Sequence, residues 1–199
     1  MKYIIVFLLL SSSVLFANEA RYKAVRDTIF WPSLYNNSYK TLYCGTSKAA
    51  GVKVWVEHAY SANWIAEANG CPDKRHCPKK SYLAASSDLH NLWPSLGHYK
   101  QSRGNIPFGI IPGEEKRFPD NACDFERTTG SDAIVEPRDS VKGDIARSIL
   151  YMIYQYELPN HIELPLLLRW HIQDPPDTAE LWRNDRIEVL QGNRNPFID

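Results

Sequence analysis

Apolar residues recur at helical spacing through the C-terminal part of the chain, which predicts amphipathic helices there. The first helix is expected after Ser140, a candidate N-cap, with an apolar stripe made of Val141, Ile145, Ile149, Met152, Ile153 and Tyr156. A second helix is expected to run to Gln173 from Asn160 or from a later residue, because Pro165 fits only a first helical turn.

Two further helices are indicated by their end signals. Asp177, followed three residues later by Glu180, resembles a capping box, and Gly192 suits the left-handed position that closes a helix. Near the start, residues 19–31 have apolar positions at helical spacing, and we expect Pro32 to end that helix.

Strand signals are fewer. Residues 52–56 alternate between apolar and other side chains and predict a strand, whereas residues 60–87 show no clear period and predict a long loop. Several helices with few strands, and neither an internal repeat nor a linker, predict one mixed α+β domain whose C-terminal part is helical.

The beginning of the chain has the pattern of a secretory signal peptide. Lys2 precedes a short apolar stretch, and Ala17 is a small residue suited to cleavage. The stretch is shorter than a membrane helix requires. We therefore expect a signal peptide over residues 1–17 and one domain over residues 18–199, periplasmic or secreted, monomeric, and without membrane contact after cleavage.

Export changes the interpretation of the four cysteines. They are Cys44, Cys71, Cys77 and Cys123. No two of them have the spacing of a CxxC pair, so a zinc site is disfavoured. An even number of cysteines in an oxidising compartment predicts two disulfides, and three pairings remain open.

Charge is balanced overall and uneven locally. The 199 residues contain 23 Lys and Arg and 23 Asp and Glu, which excludes a nucleic-acid binder of the strongly basic kind. Residues 71–103 nevertheless carry six Lys or Arg against two Asp. This local excess of positive charge is either ordinary variation of surface charge or a surface that binds a polyanion.

Glu57-His58, which we place at the end of the predicted strand, is the first candidate for chemistry. Hydrolysis of a phosphodiester needs a base near neutral pH, which imidazole supplies, and a cation to neutralise charge, which a carboxylate holds well. Adjacent strand residues point to opposite faces, so both reach one phosphate only where the strand ends or twists. Arg103 either donates a pair of hydrogen bonds to a phosphate or pairs with a carboxylate inside the fold.

Five blocks in chain order together resemble the endonuclease I family, which comprises bacterial periplasmic or secreted nonspecific nucleases. The blocks are Glu57-His58, Asp88-Leu89-His90-Asn91-Leu92 with Pro94, Arg103-Gly104-Asn105, Lys142-Gly143-Asp144-Ile145-Ala146-Arg147, and Gln191-Gly192-Asn193-Arg194-Asn195-Pro196-Phe197. The likeness runs from about residue 43 to the C-terminus, and five ordered blocks are more specific than any one of them.

The resemblance implies a ββα-metal (His-Me finger) site that binds one divalent cation, Mg²⁺ or another, and hydrolyses phosphodiester bonds of DNA and possibly RNA. It implies that His58 is the general base and Glu57 a metal ligand. It also implies a phosphate-contacting basic residue in the disulfide-held loop, where Lys74 or Arg75 is the nearest match. We further expect Arg103 to contact the nucleic acid.

The sequence departs from the family pattern at Lys100, which occupies the position of the family's second metal ligand, an asparagine. An ammonium group has no lone pair with which to coordinate a metal. Three alternatives follow: Glu57, water and substrate hold the metal; Lys100 itself acts as the catalytic cation; or the protein binds nucleic acid without cutting it.

Overall fold

A computed structural model describes residues 21–199 except residues 114 and 116. The predicted signal peptide, residues 1–17, lies outside the described residues. The domain is a mixture of helices and short antiparallel strand pairs, as predicted. None of the helices in the described part of the chain is both long and apolar enough to cross a bilayer.

In the part of the chain that the structure describes, six short strands form three separate antiparallel pairs. These are β1 (Tyr39–Lys40) with β2 (Ser47–Lys48), β3 (Trp55–His58) with β4 (Leu92–Ser95), and β5 (Phe125–Arg127) with β6 (Val135–Pro137). The strand predicted over residues 52–56 is therefore placed too early, since only its last two residues are in β3.

The helices are α1 (Ala62–Ala68), α2 (Lys80–Ser86), α3 (Gly97–Arg103), α4 (Lys142–Tyr156), α5 (Leu164–Gln173) and α6 (Thr178–Gln191), together with a π-helical segment (Arg26–Leu34) and two 3₁₀ turns, Leu89–Asn91 and Asp139–Val141. The loop predicted over residues 60–87 is wrong in part, because α1 and α2 lie within it. Helix α1 buries residues on several sides, which leaves no single apolar stripe for the sequence to reveal.

The C-terminal helices follow their sequence signals closely. Helix α5 begins at Leu164 with Pro165 in its first turn, which confirms the later start. The side chain of Asp177 accepts a hydrogen bond from the Glu180 backbone N–H (2.8 Å), and Gly192 closes α6 at φ +89°. Ser140 does not cap α4, because a 3₁₀ turn intervenes and Val141 stands at the N-cap without a side-chain bond.

Pro32 does not end the first helix, contrary to the prediction. It lies inside the π-helical segment, whose end is held by a hydrogen bond from the Tyr35 N–H to the Phe30 carbonyl (3.0 Å). Burial of Phe30, Trp31 and Leu34 against β3, β4 and α6 offsets the hydrogen bond that proline cannot donate.

Two disulfides are present, Cys44–Cys123 and Cys71–Cys77, so the expected number is confirmed and the pairing is resolved. The first joins segments far apart in sequence. The second closes the short loop that carries Lys74 and Arg75, and such a crosslink restricts a segment that has little core of its own.

Candidate active site

The candidate site lies where β3 ends beside β4 and α3. Glu57 pairs with Trp93 in the strand register and His58 pairs with Leu92. Beyond His58 the chain is held by Asn91, whose side-chain oxygen accepts from the Tyr60 N–H (2.7 Å) and whose amide donates to the Tyr60 carbonyl (3.0 Å). The predicted end of the strand at this pair is therefore confirmed.

Glu57 is buried, with 2% of its surface exposed, and both of its carboxylate oxygens have partners. Oε1 accepts a hydrogen bond from the Tyr43 hydroxyl (2.9 Å) and lies 3.4 Å from Nη1 of Arg103. Oε2 accepts from the ammonium of Lys100 at 3.0 Å. The carboxylate is thus satisfied by two cations and a phenol, which is what a buried charge requires.

Arg103 is an interior residue, 1% exposed, and the expectation that it contacts nucleic acid is corrected here. Its guanidinium donates to the carbonyls of His58 (2.9 Å) and Ala59 (2.8 Å) and lies between the rings of Trp64 and Phe108. Of the two roles considered for Arg103, the structure selects pairing inside the fold. It fixes the end of β3, and its burial keeps the guanidinium away from a phosphate in the solvent.

His58 is oriented by a backbone carbonyl. Its Nε2 lies 2.9 Å from the carbonyl oxygen of Ser86, at the end of α2. A carbonyl oxygen only accepts, so Nε2 carries the proton in the neutral ring and Nδ1 keeps the lone pair. Among the described residues Nδ1 has no hydrogen-bond partner, and the ring packs against Tyr22 with their centroids 5.5 Å apart.

The surroundings of His58 keep its imidazole neutral. Burial and, to a smaller extent, the positive charge of Lys100 lower its pKa to about 3, against the opposing effect of the hydrogen bond to the Ser86 carbonyl. At neutral pH the ring is therefore able to accept a proton. The negative charge of a bound phosphate would raise this pKa towards the range in which a base works best.

His58 opens onto a cavity of about 680 Å³. Five cations and one carboxylate are among its lining side chains: Arg26, Asp27, Lys53, Lys74, Arg75 and Lys100. Aromatic side chains, including the 59% exposed Trp55, line the same cavity. A cleft with an excess of one charge concentrates ions of the other sign, so this one favours a polyanion.

The predicted site residues do not all reach this cavity. His58, Lys74, Arg75 and Lys100 line it, whereas Glu57 lies behind the ammonium of Lys100. Lys74 and Arg75 project from the crosslinked loop, and that loop is held by a hydrogen bond from the Tyr82 hydroxyl to the Lys74 carbonyl (3.0 Å). Burial and the charge of Lys100 lower the pKa of Lys74.

The donor set does not fit a divalent cation. Mg²⁺ is held by oxygen ligands, but the oxygens of Glu57 already accept from Lys100, Tyr43 and Arg103. In the described part of the chain no three His, Cys, Asp or Glu side chains cluster in a way that suits a metal. Like unit charges about 4 Å apart repel by about 4 kcal/mol at an effective dielectric constant of about 20, so Lys100 disfavours a metal beside it.

The remaining polar residues of the 88–105 segment are structural. Asp88 caps the turn that follows it and accepts hydrogen bonds from the hydroxyls of Tyr151 (2.7 Å) and Tyr156 (2.6 Å). His90 is fully buried, and its Nε2 lies 3.1 Å from the Asn193 carbonyl. These contacts join the segment that leads into β4 to the C-terminal part of the chain.

Sequence reasoning missed three contributors to the site. Tyr43 holds Glu57, the carbonyl of Ser86 orients His58, and Tyr22 covers the His58 ring. The first two act across 14 and 28 residues of chain, and the second acts through its backbone, so no local pattern marks them. Trp55 could have been noticed, since an exposed indole on an alternating strand is uncommon.

Comparison with known proteins relates the sequence of this chain to a family. Residues 13–199 match the family model described as Endonuclease I. A protein named "Periplasmic deoxyribonuclease" from Aeromonas hydrophila is 30% identical over 219 residues, which cover 96% of this chain and 91% of that protein.

Other relatives carry related names. One named "Extracellular ribonuclease" from Bacillus amyloliquefaciens is 36% identical over 132 residues, which cover 57% of this chain and 43% of that protein. The chain thus spans less than half the length of this relative. One named "Endonuclease-1" from Buchnera aphidicola is 28% identical over 174 residues, with 84% of this chain and 66% of that protein covered.

Proposed function

The chain belongs to the endonuclease I family, and on this premise we propose that it is an exported nuclease that hydrolyses phosphodiester bonds of DNA without sequence preference. The observation that carries the proposal is the neutral imidazole of His58 on the wall of a cation-lined cavity, with Nε2 held by a carbonyl and Nδ1 without a partner among the described residues. General bases in hydrolysis need this combination of lone pair, orientation and access.

The reaction uses water as the nucleophile. Nδ1 of His58 takes one proton from the water as its oxygen bonds to phosphorus. The bond from phosphorus to the leaving oxygen breaks, that oxygen takes a proton from solvent, and His58 returns its proton to solvent. The products are a phosphomonoester and an alcohol. Arg103 acts as a positioning residue, because it holds the carbonyls on either side of the strand end.

Substrate binding is assigned to the cations of the cavity. Lys74 and Arg75 lie on the crosslinked loop and contact the phosphate backbone, a role that the family resemblance implies for one or the other of them. Contacts to phosphates position a nucleic acid without reading its bases, which supports cleavage without sequence preference. The Bacillus relative's name, a ribonuclease, supports RNA as a second substrate.

Location and assembly are part of the proposal. The signal-peptide pattern of residues 1–17, the two disulfides, and relatives named periplasmic or extracellular support export to the periplasm or the medium. We propose that residues 18–199 act as one monomeric domain.

Nicking of a supercoiled plasmid tests the proposal. The purified protein is expected to nick the plasmid, and His58→Ala is expected to lower the rate by about 10²–10⁴-fold while retardation of DNA in gels persists. Equal rates for the two proteins would remove His58 from the mechanism.

A second candidate function is binding of nucleic acid without cleavage. The specific observation in its favour is Lys100, which stands where the family pattern has a metal ligand. Protein that retards DNA yet nicks none, whether Mg²⁺ or Mn²⁺ is supplied or withheld, would select this candidate.

A further inference from the structure

The charge arrangement around Glu57 departs from what a metal-dependent site needs. The carboxylate is 2% exposed and does not line the cavity, whereas the Lys100 side chain is 27% exposed and does. The ammonium therefore stands between the carboxylate and the space where a phosphate would bind. A cation at that position meets the substrate before Glu57 could present an oxygen to a metal.

The ammonium group of Lys100 has hydrogen-bond donors that Glu57 does not use. An ammonium group has three N–H bonds, and among the described residues its one hydrogen-bond acceptor is Oε2 of Glu57, at 3.0 Å. Two donors remain for the oxygens of a phosphate. The bond to Glu57 fixes the direction of the side chain, so the charge is already in place before the substrate arrives.

The local charge balance supports the same role. Glu57 contributes one negative charge, and Arg103 and Lys100 together contribute two positive charges within hydrogen-bond distance. The surplus positive charge lies on the cavity side, where attack of water adds negative charge to the phosphate oxygens. Fixed charges aimed at developing charge are the largest single contribution in many enzymes.

We propose that Lys100 takes the place of the divalent cation, so that this protein cleaves phosphodiester bonds without a metal. The proposal rests on the proposed nuclease function. Glu57 becomes a positioning residue that holds Lys100, and Lys100 is a catalytic residue that contacts the phosphate. In the hydrolysis described above, Lys100 gains and loses no proton, and the bonds formed and broken are unchanged.

The experiment measures plasmid nicking by chelator-treated protein in EDTA and in Mg²⁺. Wild type is expected to nick at the same rate in both. Lys100→Met keeps the alkyl chain but removes the charge, and is expected to lower nicking on the order of 10²–10³-fold in both conditions, as removal of one donor to a developing oxyanion does. Circular dichroism verifies that the variant is folded.

Lys100→Asn supplies an independent readout. Restoring an amide oxygen next to Glu57 is expected to create a site that binds Mn²⁺, detected by electron paramagnetic resonance, and to make nicking dependent on Mg²⁺. Wild type is expected to bind no Mn²⁺ under the same conditions. Lys48→Asn, on β2 and outside the cavity, is the matched control and is expected to behave as wild type.

The outcomes separate the two proposals. Wild type that nicks only with a divalent cation overturns metal-free cleavage and leaves the nuclease function standing. Undiminished nicking by Lys100→Met in EDTA, or Mn²⁺ binding by wild type equal to that of Lys100→Asn, also overturns it. Wild type that nicks in neither condition overturns the nuclease function, and the role of Lys100 with it.

Discussion

Glu57 and Glu180 are both buried and both pair with an arginine, but of these two residues Glu57 belongs to the candidate site and Glu180 does not. Glu57 is 2% exposed and Glu180 is 3% exposed. Arg147 donates to both oxygens of Glu180, with Nε 2.9 Å from Oε1, and also to the Asp174 carbonyl at 2.6 Å. That pair joins α4 to α6, and its two opposite charges neutralise each other.

The surroundings of the two pairs differ more than the pairs themselves. The cavity beside Glu180, of about 600 Å³, is lined by three carboxylates and three cations, Lys40, Arg138, Asp144, Asp177, Glu180 and Arg183. The cavity beside Glu57 has an excess of cations and a neutral imidazole. A buried ion pair is thus weak evidence for a site, whereas surplus charge beside an accessible base is stronger evidence.

Replacing the glutamate of each pair is expected to give the largest effects, and the property that changes should differ between the two pairs. Glu180→Gln leaves Arg147 buried and unpaired, so the free energy of unfolding should fall by about 3–5 kcal/mol in urea denaturation. Its nicking rate per folded molecule should not change. Glu57→Gln should lower nicking by about 10²-fold, the cost of misplacing a catalytic group by about 1 Å.

Each variant is the control for the other. If Glu180→Gln lowered nicking per folded molecule as much as Glu57→Gln does, the two pairs would not differ in function, and the distinction between a structural and a catalytic pair would fail.

The cations of the crosslinked loop should have a smaller effect, confined to binding. Lys74→Ala and Arg75→Ala should each reduce the slope of log affinity against log salt by about 0.9, the value for one lost phosphate contact on duplex DNA. Gel retardation at several salt concentrations measures the slope. Lys48→Asn should leave it unchanged, and an unchanged slope in both loop variants would remove the loop from the binding surface.

The sequence predicted the elements whose signals are local. The stripe of α4, the cap at Asp177 and the end of β3 at His58 depend on neighbours a few residues away, and the structure has all three. Short elements buried on several sides were missed, because a helix such as α1 lacks a polar face that would reveal its period.

Roles that depend on distant contacts were not predictable. Arg103 has the residue type of a phosphate ligand, and only the packing of Trp64 and Phe108 around it reveals an interior residue. Lys100 was recognised as a departure from the family pattern. Its partnership with Glu57, across 43 residues, required the fold.

The pH dependence of kcat/KM for nicking tests the central claim most directly, namely that a neutral His58 beside Lys100 is the base. This constant reports groups of the free enzyme. Because the base works only when unprotonated, kcat/KM should stay level from pH 8 down to about 4 and fall below the His58 pKa of about 3. In Lys100→Met the cation that lowers this pKa is gone, so the decline should begin at a higher pH. A decline of wild type centred near the ordinary histidine pKa, unmoved by Lys100→Met while the protein stays folded, would contradict the account.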